Sequence, residues 1–353
     1  MENISRLKEI FQKAVELKAS DVHILANEAP VFRIDGKLSK HDGGVLSAKE
    51  SEDLISLTLR PEYIERLKVE KEVDFSFNFE SARVRANVYF ESGAVAGSYR
   101  FIPADILSFE DLGLPPIMQE FANREQGLLI ITGPTGHGKS TTIAALIEYI
   151  NQSKMKHIVT IEDPTEYIFK NSKSIISQRE FGTDTLSFTR ALRSALREDP
   201  DVVFVGEMRD LETFEAVLTI AETGHLIFTT LHTNSAAQTP KRIIDVFPKS
   251  QQDQVRQQLS NVISGVISQR LIPKASGKGR VLACEILVAN SAVRNLIRED
   301  KIHQIQSTIQ TSASEGMITL DKVLADFVSR GEITLEEALK WSDDPKQFKQ
   351  MVF

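Results

Sequence analysis

The chain has 353 residues, 41% hydrophobic and 26% charged, and at roughly 150 residues per domain it is expected to form two domains with a small appendage. Forty-two basic against 49 acidic side chains leave a formal charge of −7, which excludes a bulk positive field for nucleic acid or anionic lipid. One cysteine, Cys284, excludes an internal disulfide framework and a cysteine-rich zinc site, and a charged N-terminus without long apolar runs predicts a soluble cytosolic chain with no leader and no membrane span.

Leu7, Ile10, Phe11, Ala14, Val15 and Leu17 recur near helical spacing and predict an amphipathic first helix. Asp35-Gly36 lies between short extended segments, a strong hairpin signal. Val73, Phe75, Phe77 and Phe79 alternate with polar residues and predict a half-buried strand. Val84, Ala86 and Val88 then share one face of a second strand, with Arg83 and Arg85 on the other, and a third strand runs from Ala94 to Phe101. Residues 1–102 thus read as a small sheet with helices. Residues 103–116 carry proline at both ends around a polar middle and form the expected linker. Beyond it, apolar runs at 128–131, 158–161, 202–205, 226–228 and 281–288 are separated by helical stretches. Such an alternation predicts an α/β core over 117–290 with a mostly parallel sheet covered on both faces. Residues 291–353 read as helical.

The string Gly133-Pro134-Thr135-Gly136-His137-Gly138-Lys139-Ser140 fits G-x-x-x-x-G-K-[ST] at every fixed position. A strand, Leu128–Ile131, precedes it, and a helical run beginning at Thr141 follows. The glycines let the backbone curl so that its N–H groups point at phosphate oxygens, and the helix N-terminus adds partial positive charge. Lys139 is expected on the β- and γ-phosphates and the Ser140 hydroxyl on Mg²⁺. His137 occupies a position where such loops use mainly the N–H, so its side chain is expected to face solvent. The alternative is an imidazolium near the phosphates that makes affinity pH-dependent.

Ligands of open parallel sheets sit beyond the carboxyl ends of the strands. The run from His157 to Ile161 ends in Glu162-Asp163-Pro164, and that from Asp201 to Gly206 ends in Glu207. Two strand-end carboxylates beside a phosphate loop suit metal-assisted hydrolysis, one orienting the attacking water and the other holding magnesium directly or through water. Either acid alone also fits a helix cap or surface charge. His225 and His232 are separated by about 23 Å of ideal strand, at about 3.3 Å per residue, and cannot both touch one phosphate. His232, at the carboxyl end, is the candidate γ-phosphate sensor; His225 reads as structural or interfacial. Arg190, Arg193 and Arg197 share a face of a helix predicted within 186–198. They form either a solvated stripe or, with Arg209, cations that neutralise phosphate across a subunit boundary. Ser291 is the expected N-cap of a helix that buries Val293, Leu296 and Ile297. Arg294 and Arg298 then lie on one exposed face, as ordinary surface charge or as a docking patch.

Together these segments resemble the secretion-superfamily ATPases, and among them the type IV pilus retraction ATPases (PilT/PilU-like), over essentially the whole length. Thr160 to Glu166 resembles the family's Asp box, Asp199 to Asp210 its Walker B region, and Ala221 to Thr233 its His box. Ala292 to Glu299 is one conservative change from the A-I-R-N-L-I-R-E string of retraction motors. Serine is usual in the family where this chain has His137.

The resemblance implies a PAS-like N-terminal α+β domain and a RecA-like P-loop NTPase domain with a helical C-terminal portion, assembled as a homo-hexameric ring. Its ligands would be ATP and Mg²⁺, with nucleotide between the two domains. Residues Gly133 to Thr141 would form the phosphate site, and Arg83, Arg85 and Arg100 become candidate nucleotide contacts. Glu207 matches the catalytic glutamate, Glu162 the Asp-box acid near magnesium, and His232 the second His-box residue. Arg193, Arg197, Arg209, Arg294 and Arg298 are candidate intersubunit or partner residues. The implied work is pilus retraction and twitching motility, through an inner-membrane platform protein at the cytoplasmic face of the pilus base. A paralogous pilus ATPase is a candidate partner and nucleic acid is not a specific one. The rivals are an accessory retraction ATPase with weak hydrolysis and a nucleic-acid-translocating ring.

Overall fold

The helical spacing of Leu7, Ile10, Phe11 and Ala14 does form a helix, α1 (Glu2–Glu16), and all four side chains are buried. This is a computed structural model, which describes residues 2–352 except 35, 81 and 104. Asp35 of the expected hairpin turn and Ala104 of the expected linker lie outside the described residues, as do Met1 and Phe353. The chain divides into two compact units, residues 1–105 with 164–168, and residues 106–163 with 169–353.

In the first unit α1 is followed by β1 (Asp21–Ile24), β2 (Val31–Ile34), β3 (Lys37–Lys40), α2 (Ala48–Ser56), α3 (Pro61–Glu70), β4 (Glu72–Phe79), β5 (Ala82–Glu91) and β6 (Ala94–Pro103). The strands form one antiparallel sheet in the order β3-β2-β1-β6-β5-β4. Phe11 anchors its core, with ring centroids 5.1 Å from Tyr99 and 5.3 Å from both Phe79 and Phe101. A capping box, in which Ser47 and Glu50 satisfy each other's backbone N–H, starts α2.

The second unit comprises α4 (Ile117–Ala122), β7 (Gly127–Thr132), α5 (Lys139–Ser153), β8 (His157–Glu162), β9 (Ile175–Glu180), α6 (Phe188–Ala195), β10 (Val202–Val205), α7 (Leu211–Glu222), β11 (Leu226–Leu231), α8 (Thr239–Asp245), α9 (Gln252–Val262), β12 (Ile263–Pro273) and β13 (Arg280–Val288). Five α-helices follow: α10 (Ser291–Arg298), α11 (Ile305–Thr311), α12 (Leu320–Ser329), α13 (Leu335–Trp341) and α14 (Pro345–Val352). The sheet order is β13-β12-β7-β11-β10-β8-β9, parallel throughout except for the antiparallel pair β12–β13. Every residue of β7, β10 and β11 is buried, and successive side chains point to opposite faces, so both faces of the sheet centre are covered. The expected α/β architecture is therefore what the chain adopts. Cys284 lies buried on β13, where burial pushes its thiol up to about 12.

Helices α12 to α14 have a core of their own. Leu320, Leu324, Ala325, Ile333, Ala338 and Phe348 cluster on Ile272 of β12 and Ala283 of β13. The C-terminal helices thus sit on the antiparallel edge of the sheet.

Candidate active site

The parallel strands β7, β11, β10 and β8 are neighbours and end on the same side, which brings their following residues together. At Gly133, φ is 140° and a Cβ would lie 2.4 Å from the Gln269 carbonyl oxygen, so only glycine lets the loop pass this close to β12. Gly138, at φ 83°, opens α5, and no side chain caps that helix start. A helix start of this kind is where backbone N–H groups and the helix dipole favour an anion. Lys139 is buried in the first turn and bends back over the loop. Its Nζ donates to the carbonyl oxygens of Gly133 at 2.8 Å and Pro134 at 3.1 Å. Thr135 and Gly136 are exposed at the loop tip, and Pro134 and Ser140 are half-buried. Thr141 follows in the same turn.

His232 follows β11 and Glu207 follows β10. The Lys139 ammonium lies 3.4 Å from His232 Nδ1, and His232 Nε2 lies 3.1 Å from Glu207 Oε1. Lysine can only donate and a carboxylate only accept, so these partners place the imidazole proton on Nε2. The other Glu207 oxygen accepts from Arg209 Nε at 2.9 Å, and Arg209 Nη1 donates to Asp163 Oδ2 at 2.9 Å. Glu207 above all, with Asp163, holds the guanidinium still more firmly in its charged form. One chain of contacts therefore runs Lys139, His232, Glu207, Arg209, Asp163. Glu162 ends the adjoining strand, buried, with Oε1 accepting from Thr160 Oγ1 at 2.7 Å and Gln178 Nε2 at 3.4 Å. A Cβ on Gly206 would lie 3.4 Å from the Glu162 Cα, so the two acidic strand ends approach closely. His225 stays at the far end of β11, with Nδ1 3.1 Å from the Ile220 carbonyl oxygen and 3.0 Å from Thr223 Oγ1.

Several expectations require correction. The His137 side chain does not face solvent. Its Nδ1 accepts the Leu271 N–H at 3.0 Å, its carbonyl accepts Gln269 Nε2 at 2.7 Å, and its ring meets Trp341 edge-on at 5.4 Å between centroids. Burial, then Arg270, Arg280 and Lys139, lowers its pKa, because the loop is drawn against a strand that local sequence did not reveal. The N-cap of α10 is Asn290, whose Oδ1 accepts the Val293 N–H at 2.9 Å, and not Ser291. Leu296 is half-buried while Val293 and Ile297 are fully covered. Arg294 does not share an exposed face with Arg298. It donates to the carbonyls of Ala289 at 3.0 Å, Ser260 at 2.7 Å and Asn261 at 2.5 Å, closing the end of α9. Arg298 remains exposed, beside Asn295 Oδ1 at 3.0 Å.

Arg190, Arg193 and Arg197 are all exposed along and just beyond α6. In the first unit, Arg83 donates to Asn78 Oδ1 at 3.0 Å and Ser76 Oγ at 2.5 Å. Arg85 and Arg100 are directly opposite on β5 and β6, and Arg100 Nε donates to Asp21 Oδ1 at 2.9 Å. Sequence reasoning missed Gln269, Leu271 and Trp341 around the loop. It also missed Glu285 on β13, whose Oε2 accepts the Ala236 N–H at 2.6 Å, and Arg270, whose Nη2 donates to the Asn234 carbonyl at 2.6 Å; both steady the segment after His232. The available signal was the polar run Ser268-Gln269-Arg270 inside an apolar stretch. Among the described residues there is no group of three or more His, Cys, Asp or Glu side chains able to hold a metal alone, and no helix long and apolar enough to cross a membrane.

A family model for type II/IV secretion system proteins matches residues 103–340. The chain is 44% identical over 343 residues to the type IV pilus retraction ATPase PilT of Pseudomonas aeruginosa, covering 97% of this chain and 99% of that one. It is 47% identical over 310 residues to a twitching motility protein of Neisseria gonorrhoeae, covering 88% and 83%. Among solved structures, the pilus retraction motor PilT with bound ADP matches with a TM-score of 0.90 at 50% identity, covering 97% of this chain and 98% of that chain.

Proposed function

The chain belongs to the type II/IV secretion system protein family, and we propose that it is an ATPase that powers type IV pilus retraction. The observation that carries the chemistry is the run of contacts from Lys139 through His232 to Glu207, on three neighbouring strand ends. In ATP + H₂O → ADP + phosphate, the Lys139 ammonium and the α5 N-terminus neutralise the β- and γ-phosphates. Glu207 orients the attacking water and takes up its proton. His232, touching both, registers whether the terminal phosphate is present. The remaining loop residues, Gly133 to Gly138 and Thr141, shape the phosphate cradle.

The donors fit magnesium. A hydroxyl at Ser140 and carboxylates at Glu162 and Glu207, without a three-ligand cluster among the described residues, suit a hard cation that takes its remaining ligands from phosphate and water. When bound, Mg²⁺ supplies charge neutralisation at the phosphate oxygens. The reading extends to a homo-hexamer acting on an inner-membrane platform protein from the cytoplasmic side. In it Arg83, Arg85 and Arg100 are further nucleotide contacts, and Arg193, Arg197 and Arg209 are subunit-boundary cations.

Steady-state ATPase assays test the chemistry. Glu207→Gln is expected to keep nucleotide binding while lowering kcat by about two to three orders of magnitude, and Lys139→Ala is expected to lose binding. Equal rates for wild type and Glu207→Gln would overturn the assignment and favour an accessory role. Deletion of the gene is expected to leave surface pili in place and abolish twitching.

A further inference from the structure

We propose that His137 is a positioning residue, which fixes the phosphate loop on β12 and through Trp341 makes the C-terminal helices respond to bound nucleotide. The proposal rests on the nucleotide reading above and adds a residue that the loop motif does not specify.

A general phosphate loop needs only the N–H of this position. Here the residue is held from both sides of its chain. The Leu271 N–H donates to the imidazole and the Gln269 amide donates to the His137 carbonyl, so two consecutive contacts pin the loop to β12. Gly133 passes the same strand within a distance that excludes a Cβ. Since Nδ1 must accept, the ring is neutral with its proton on Nε2. Arg270 of β12, Arg280 of β13 and Lys139 of α5 surround it and oppose a second proton.

The outer edge of the imidazole meets Trp341, the last residue of α13. Trp341 is itself fixed, because its Nε1 donates to Glu337 Oε1 at 3.1 Å. Behind it, α12 to α14 pack as one cluster on Ile272 and Ala283. A loop that tightens around phosphate cannot move His137 without moving the indole or parting from it. The C-terminal cluster is thereby attached to the loop that would hold the phosphates.

The chain has a single tryptophan, so its emission reports the surroundings of Trp341. Wild-type protein titrated with ADP is expected to show a saturable change in Trp341 emission that follows binding measured by calorimetry. His137→Ala is expected to raise KM for ATP about tenfold, the worth of one hydrogen bond to a backbone N–H, and to lose the emission response. His137→Asn, whose amide oxygen can accept from Leu271, is expected to restore KM. Unchanged emission on saturation of the wild type overturns the proposal, whatever the variants do. So does His137→Ala with wild-type KM. Wild-type protein that binds no ADP at all would instead sink the nucleotide reading, and this proposal with it.

Discussion

Glu207 and Glu285 are carboxylates a few strands apart whose surroundings set them different tasks. Glu207 keeps a quarter of its side chain exposed and is flanked by Arg209 and His232, within reach of a water that it could orient. Glu285 is almost fully covered, and burial pushes it from 4.5 up to about 7. The folded chain therefore holds a proton there that the unfolded chain releases. The stabilisation is complete below pH 4.5 and is lost as pH rises through about 7. It amounts to about 3 kcal/mol at most. Glu285→Gln, neutral throughout, is expected to flatten the fall in denaturation midpoint across that window, and denaturant titrations on either side of it check this. At this scale the sequence singled out Lys139, Glu207 and His232 from motif and strand-end position, and the fold brings the three into contact. The sequence was silent on Glu285, whose significance comes from the Ala236 N–H, 49 positions away in sequence and brought to it by the fold.

The same contrast holds for whole elements. Strands β7, β8, β10 and β11 were legible because a strand covered on both faces reads as a mostly apolar run. β12 was not legible, since Ser264, Ser268, Gln269 and Arg270 break its run while remaining buried through specific contacts. Their partners lie far away in sequence. The join between α9 and α10 shows what such contacts do. Arg294 reaches from one helix to the terminal carbonyls of the other, where a cation also complements the helix dipole. Arg294→Ala is expected to cost about 1–2 kcal/mol and lower Tm, while Arg298→Ala leaves Tm unchanged. ATP hydrolysis at a temperature well below Tm should survive both. If Arg294→Ala leaves Tm unchanged, the arginine is free for another task.

For the molecule as a whole, the charge of −7 argues against nucleic acid as a partner. ATPase rates are expected to be indifferent to duplex DNA at low and at moderate salt. A strong stimulation that fades with salt would favour the translocating ring instead. Much of the order of strands and helices was readable from composition and periodicity, because buried faces impose their spacing on the sequence. Cys284 has a practical meaning at this scale. A thiol so covered and so hard to ionise offers maleimide reagents no attachment point. The unaltered chain is in effect a blank for dye chemistry. A cysteine introduced at Val69 of one unit and another at Met155 of the other, both strongly exposed, would carry a donor and an acceptor fluorophore. Energy transfer between them would then report on the two units of a single chain during turnover.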